Sequence, residues 1–165
     1  MKRSLYITLF SLLISQCVFA EEAAFVSTRS LSMELANKLA TTAARHCTKM
    51  GYQVSVAVTD RNGKLLAFTR NPLAGSHTID VAILKAATAA SFQTPTIDMM
   101  KGFEGLREAP GVLLIGGGVP VRIGGHLYGA VGVSGAPAKK RTGDIDDDCA
   151  RQGINAFHEQ VEFAQ

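Results

Sequence analysis

The sequence lacks features that mark several common classes of protein. Its 165 residues contain no tryptophan, aromatic residues make up only 7%, and no segment recurs at a fixed period. The absence of a repeat argues against solenoids and propellers. Charged residues make up 19%, the formal net charge is +3, and no basic run is interleaved with aromatic residues. The sequence therefore predicts no nucleic-acid partner.

The short motifs of several metal and nucleotide sites are also missing. No two of the four histidines are four residues apart, and neither Cys-x-x-Cys nor Cys-x-x-Cys-His occurs. These absences disfavour a closed zinc site and covalent attachment of haem. Three consecutive glycines at 116–118 lead into an extended segment, whereas a dinucleotide-binding loop leads into a helix. We interpret these glycines as a turn that allows close backbone approach, with a ligand pocket as the alternative.

The N-terminal segment has the pattern of a signal peptide. A basic pair at 2–3 precedes an apolar run at 5–14, and residues 18–20 have the small-x-small pattern of a cleavage site. We expect a signal peptide at 1–20 and one domain at 21–165. Loss of the basic pair lowers the net charge from +3 to +1. The expected location is periplasmic or secreted, with no integral membrane segment after cleavage.

Two cysteines, Cys47 and Cys149, remain in the predicted mature chain. An exported protein meets oxidising conditions, in which disulfides persist. If these cysteines pair, they close a loop of about 100 residues, for which chain entropy gives about 4–5 kcal/mol of stabilisation. Two buried free thiols are the alternative, and the sequence leaves that choice open.

Hydrophobic spacing predicts an α+β fold. Apolar residues recur at helical spacing over 30–50 and alternate over 54–59, and turn chemistry at 60–63 separates that strand from a second at 65–68. The other predicted elements are a helix at 79–92 capped by Ser76 or Thr78, a short helix at 96–101, strands at 112–115, 119–123 and 127–133, and a last helix at 147–163. The tight hairpins exclude a purely parallel sheet, so we expect an antiparallel sheet flanked by helices.

Two neighbouring side chains on the second long helix are candidates for binding. Lys85 and Thr88 are three residues apart, which places them on one face of an alanine-rich helix with room for a ligand or a subunit. His77 stands in the loop before that helix and could face the same space. The competing interpretations are an ion pair or a solvated face for Lys85, and a solvated loop position for His77.

Several segments together resemble the HbpS/GlcG family. They are VAVTDRNG at 56–63, TR at 69–70, DVA at 80–82, KAATA at 85–89, GGGVPV at 116–121 and GAVGVSG at 129–135. The family includes secreted haem-binding proteins, the GlcG proteins of glycolate operons and the C-terminal domain of PduO. The resemblance covers about residues 31–157, and it implies a profilin-like fold, a homo-oligomer, and haem or a related tetrapyrrole as ligand.

The resemblance also suggests a ligand site. It implies a pocket between the helix of Lys85 and Thr88 and the glycine turn, and the residues that we expect to bind the cofactor are Lys85, Thr88, His77, Arg70, Gly117, Gly118 and Pro120. Lys85 or Arg70 would pair with the haem propionates, and His77 is the predicted metal ligand, with His46 and Thr88 as alternatives.

Haem sensing, scavenging or iron handling is the function that these features imply. One alternative is an auxiliary protein or enzyme that acts on a small hydroxy acid, with Lys85 holding the carboxylate. A noncatalytic structural oligomer is another. The resemblance does not imply a dedicated enzyme, although some relatives have been linked to haem degradation.

Overall fold

A four-stranded antiparallel sheet with helices on both faces forms the fold. The computed structural model describes residues 24–162, so the predicted signal peptide lies outside the described residues. The strands are β1 (Ser55–Asp60), β2 (Leu65–Arg70), β3 (Gly118–Ile123) and β4 (His126–Ser134), in the order β2-β1-β4-β3. The helices are α1 (Met33–Lys49), α2 (Thr78–Phe92) and α3 (Asp144–Glu162).

One face of the sheet carries the main hydrophobic core. Val56 pairs with Val133 and Val58 with Val131 across β1 and β4, and all four are fully buried. Because side chains alternate along a strand, these valines share the face that α1 and α3 cover. The predicted strand is confirmed, but the single buried face that its alternation indicates is not, because Ser55, Ala57 and Thr59 on the other face are buried as well.

The opposite face carries small residues and lies against α2. Ala57 of β1 packs there on Ala82 and Ala86 of α2. A Cβ atom at Gly132 of β4 would overlap the backbone carbonyl oxygen of Ala82. This glycine therefore permits the close approach between α2 and the sheet, which an alanine-rich helix favours.

A disulfide joins the two helices on the valine face. Cys47 of α1 and Cys149 of α3 are bonded, and both residues are inaccessible to solvent. The sequence alone left this pairing open. In the structure, the bond joins two cysteines that are 102 residues apart in the chain.

Two local predictions were wrong, and a third is refined. The apolar run 112–115 is irregular, because the Leu113 amide donates to Thr88 Oγ1 instead of joining a strand ladder. The short helix predicted at 96–101 is present as a 3-10 turn at Asp98–Met100. Neither Ser76 nor Thr78 caps α2, because His77 occupies the cap position without a side-chain bond, and the Thr78 hydroxyl donates to the Gly75 carbonyl.

Within residues 24–162, no helix combines the length and the apolar character that crossing a membrane requires.

Candidate functional site

A buried ion pair connects α2 to the start of α3. The Lys85 ammonium donates to Asp146 Oδ2 at 2.7 Å and to the Val133 carbonyl oxygen of β4 at 2.9 Å. Only 2% of the Lys85 side chain and 5% of the Asp146 side chain are exposed. The pair therefore links α2 and α3 to β4 in the interior of the protein.

Burial and pairing act in opposite directions on these two groups. Burial lowers the pKa of Lys85, whereas the nearby Asp146 carboxylate raises it. Burial raises the pKa of Asp146, whereas the Lys85 ammonium lowers it. Each charge thus offsets part of the desolvation cost of the other, and removal of one leaves the other buried without compensation.

The glycine turn makes room for the lysine side chain. A Cβ atom at Gly117 would lie 2.9 Å from Lys85 Nζ, and Gly117 has a φ of +117°, where other residues are strained. A Cβ atom at Gly118 would overlap the Lys85 carbonyl oxygen. Lys85 itself therefore fills the space in which the resemblance implied a ligand pocket, and the prediction of an open cleft there was wrong.

The other residues implied as ligand contacts are dispersed. Thr88 is buried and accepts from the Leu113 amide, and Pro120 is half-buried in β3. His77 is exposed at the start of α2, and Arg70, exposed at the end of β2, donates to the carbonyls of the following loop. Lys85, Gly117 and Gly118 are thus brought together, whereas Arg70 and His77 are exposed and lie outside this cluster. The binding roles of these residues stay predictions.

A second carboxylate, that of Asp144, fixes the backbone of the loop that precedes α3. Residues 139–143 of this segment are called the basic loop. The Asp144 carboxylate accepts hydrogen bonds from the backbone amides of Lys139, Lys140, Arg141 and Ile145 at 2.6–3.3 Å. These bonds, led by those from Lys139 and Lys140, lower the pKa of Asp144 to about 2. Asp146 contributes at the other end of the loop, because its Oδ1 accepts from the Ala136 amide at 2.9 Å. The backbone of the basic loop is therefore fixed by carboxylates.

An open cleft lies between this basic loop and the 3-10 turn that follows α2. Its volume is about 420 Å³, within the size range of small-molecule pockets. The residues that line it are Ile97, Asp98, Met100, Lys101, Lys140, Arg141 and Thr142. The cleft adjoins the glycine turn, because the Gly116 amide donates to the Thr142 carbonyl oxygen at 3.2 Å.

The cleft has an excess of positive charge, and Met100 is its one apolar side chain that is more than a few per cent exposed. Lys101, Lys140 and Arg141 contribute three cations, and Asp98 is the only acidic residue among those that line it. Asp98 Oδ2 lies 3.8 Å from Arg151, whose Nε donates to Asp147 at 2.6 Å, so its charge is partly balanced outside the cleft. A ligand with an apolar body and carboxylate groups matches this surface.

Sequence reasoning missed this cleft. The sequence places Lys139, Lys140 and Arg141 beside four aspartates, which suggested that the charges neutralise one another. In the structure, Asp144 binds backbone amides and Asp146 binds Lys85, so neither carboxylate makes an ion pair with the cleft side chains. The sequence signal for the cleft was the basic run at 139–141 directly before the acidic start of α3. It could be interpreted only with the knowledge that Asp146 pairs with Lys85 and not with this run.

Comparison with known proteins identifies the family. A sequence model described as "Haem degrading protein HbpS-like" matches residues 31–155, which is most of the chain. The chain belongs to the HbpS-like family. Protein GlcG of Escherichia coli K12 is 34% identical over 112 residues, a match that spans 63% of this chain and 81% of GlcG.

Solved structures of HbpS-like proteins share the fold. A double mutant of HbpS from Streptomyces reticuli is 37% identical, with a TM-score of 0.74 over 84% of this chain and 94% of that one. A PduOC–haem complex is 26% identical, with a TM-score of 0.66 over 77% of this chain and 94% of that one. The predicted α+β fold, an antiparallel sheet flanked by helices, is confirmed.

The first testable consequence concerns the Lys85–Asp146 pair. Lys85→Met should lower the free energy of unfolding by about 3–5 kcal/mol, because it leaves the Asp146 carboxylate buried and unpaired. Adding Asp146→Asn should restore part of that loss, since a neutral amide can still accept from Ala136. Urea unfolding of residues 21–165 measures both effects. Strictly additive losses would contradict the coupling of the two charges.

Proposed function

We propose that this HbpS-like protein is exported and binds haem or a related tetrapyrrole in the cleft between the 3-10 turn and the basic loop. The observation that carries this proposal is the combination of three cations, Lys101, Lys140 and Arg141, with the half-buried Met100 side chain in one open cleft. Membership of the family described as haem degrading and likeness to a haem complex of PduOC support the choice of ligand.

The side chains of the cleft fit the chemistry of a tetrapyrrole. The half-buried Met100 side chain offers apolar surface to the edge of a flat ring, and the cations can pair with its propionate carboxylates. Arg141 can bind a carboxylate through two parallel hydrogen bonds, whereas each lysine acts as a point charge. When bound, haem supplies an iron centre whose reactivity the surrounding protein adjusts.

Order in the basic loop favours binding. Four amide hydrogen bonds to Asp144 fix the backbone from Lys139 to Ile145 before any ligand arrives. A loop that is already ordered loses less conformational entropy on binding, so more of the interaction energy contributes to affinity. The arrangement therefore favours carboxylate recognition at Lys140 and Arg141.

Export has two supports that are independent of the ligand. The sequence at 1–20 has the pattern of a signal peptide, and the Cys47–Cys149 disulfide is of a kind that persists in oxidising compartments. Both features support the proposed periplasmic or secreted location. The homo-oligomer that the resemblance implies stays a prediction.

Haemin titration tests the binding proposal. Residues 21–165 should give a saturable Soret change, and the double variant Lys140→Gln/Arg141→Gln should weaken binding by at least about tenfold, since two propionate partners are lost. Lys139→Gln is the matched control, because this exposed lysine belongs to the same loop but does not line the cleft. It should leave the affinity unchanged.

Three results would count against haem binding in the cleft. If Lys139→Gln weakens haemin binding as much as the double variant does, the overall positive charge of the loop accounts for binding, and the cleft does not. Loss of binding in His77→Ala, with Lys140→Gln/Arg141→Gln unaffected, would move the site to the start of α2. Thermal stabilisation by glycolate without any Soret change would favour the hydroxy-acid alternative.

Export is tested on the protein produced from the full-length gene in a Gram-negative host. The periplasmic form should begin at Glu21, and Cys47 and Cys149 should resist alkylation until the unfolded protein is reduced. Protein that keeps Met1, or that has two alkylatable thiols after unfolding without reductant, would contradict this location.

A further inference from the structure

We propose that the outer face of α1 docks on a membrane that contains anionic phospholipid. Lys38, Arg45 and Lys49 lie at positions i, i+7 and i+11 of this helix, so both later residues stand within about 20° of Lys38 around the helix axis. All three are exposed, and the buried residues of α1 lie on the side that faces the sheet. These three residues are called the basic stripe.

No carboxylate neutralises the basic stripe among the residues that the structure describes. None lies within ion-pair distance of it, although Glu34 belongs to α1 and Asp148 to the neighbouring helix α3. Two adjoining open hollows meet at Arg45, one reaching Lys38 and the other reaching Lys49. No acidic residue of the described part of the chain lines either hollow. The positive charge of the stripe is therefore available to an external anion.

The length of the basic stripe suits a row of anionic groups. At a rise of about 1.5 Å per residue, its ends are about 16 Å apart, and Lys38 is about 10 Å from Arg45 along the axis. The hydroxyls of Thr41 and Thr42 donate to the carbonyl oxygens of Asn37 and Lys38, so their protons are already used within α1. Phosphate groups spread over a surface can pair with all three bases, whereas one small anion would have to draw together bases that the helix holds apart.

Apolar side chains near the basic stripe favour lipid over a soluble polyanion. Phe25 and Val26, in the segment before α1, are 89% and 86% exposed, and Met33, the first residue of α1, is 74% exposed. All three precede Lys38 along the chain. A lipid surface buries such groups at the boundary between headgroups and acyl chains, whereas nucleic acid offers them no apolar layer. A basic helix face with apolar groups beside it is the pattern of peripheral membrane binding.

Membrane docking of this kind is electrostatic, and its strength follows from the number of bases. Each base close to an anionic membrane strengthens binding by about fivefold, and the attraction falls off within a Debye length of about 8 Å at physiological salt. Binding should therefore depend on the anionic lipid, on the salt concentration and on the three residues of the basic stripe.

The test is cosedimentation of residues 21–165 with vesicles made of equal parts of phosphatidylglycerol and phosphatidylcholine. At low ionic strength the protein should bind these vesicles at least about tenfold more tightly than vesicles of phosphatidylcholine alone, and high salt should release it. The variant Lys38→Gln/Arg45→Gln/Lys49→Gln should bind at least about tenfold more weakly, because three bases leave the surface. Circular dichroism checks that this variant is folded.

The matched control is Arg61→Gln/Lys64→Gln/Lys139→Gln. It removes the same number of positive charges from exposed positions outside α1, in the turn between β1 and β2 and in the basic loop. Because the basic stripe is intact in this variant, its affinity for the anionic vesicles should stay within about twofold of that of the unaltered protein.

Four results would overturn the proposal. They are failure of the unaltered protein to bind the anionic vesicles, equal binding to vesicles of phosphatidylcholine alone, unchanged binding by the folded stripe variant, and equal weakening in the control variant. Tighter binding to a DNA duplex than to the vesicles, lost in the stripe variant, would assign the stripe to nucleic acid instead. Haemin titration measures a different surface, so membrane docking and haem binding can fail independently.

Discussion

The ion pair between Lys85 and Asp146 is the interaction on which the arrangement of this HbpS-like protein depends. It lies between α2, β4 and the first turn of α3, with almost no exposed surface. A lysine there needs space and a counter-charge at once. Gly117 supplies the space and Asp146 the charge, so a glycine turn and an acidic helix start, distant in sequence, serve one buried side chain.

This pair also affects which charges face the cleft beside the 3-10 turn. Asp146 is bound to Lys85 and to the Ala136 amide, and Asp144 is bound to amides of the basic loop. Both carboxylates hold the loop in place rather than pairing with its side chains. Lys140 and Arg141 consequently line the cleft as cations, together with Met100 of the 3-10 turn. The geometry of the core thereby produces an electropositive surface in a chain with little net charge.

Local signals predicted most of the fold but little of the site. Strand alternation around Val56 and Val58 and helical spacing in α1 depend on near neighbours, so the sequence alone predicted them. The run 112–115 was mistaken for a strand, because burial of a short apolar segment does not specify a ladder partner. Lys85 and Asp146 are 61 residues apart, and no periodicity links them. Their contact closes the pocket that the resemblance implied and leaves open the cleft beside Met100.

Backbone NMR of residues 21–165 with gallium protoporphyrin IX, a diamagnetic analogue of haem, measures directly where a tetrapyrrole binds. If the propionates of the porphyrin bind the basic loop and its ring lies beside the 3-10 turn, the backbone amides of 97–101 and 139–143 should show the largest chemical-shift changes on titration. Those of 70–77, with Arg70 and His77, should change little, because they lie near the opposite end of α2. Largest changes at 70–77, with the basic loop unaffected, would contradict binding in this cleft.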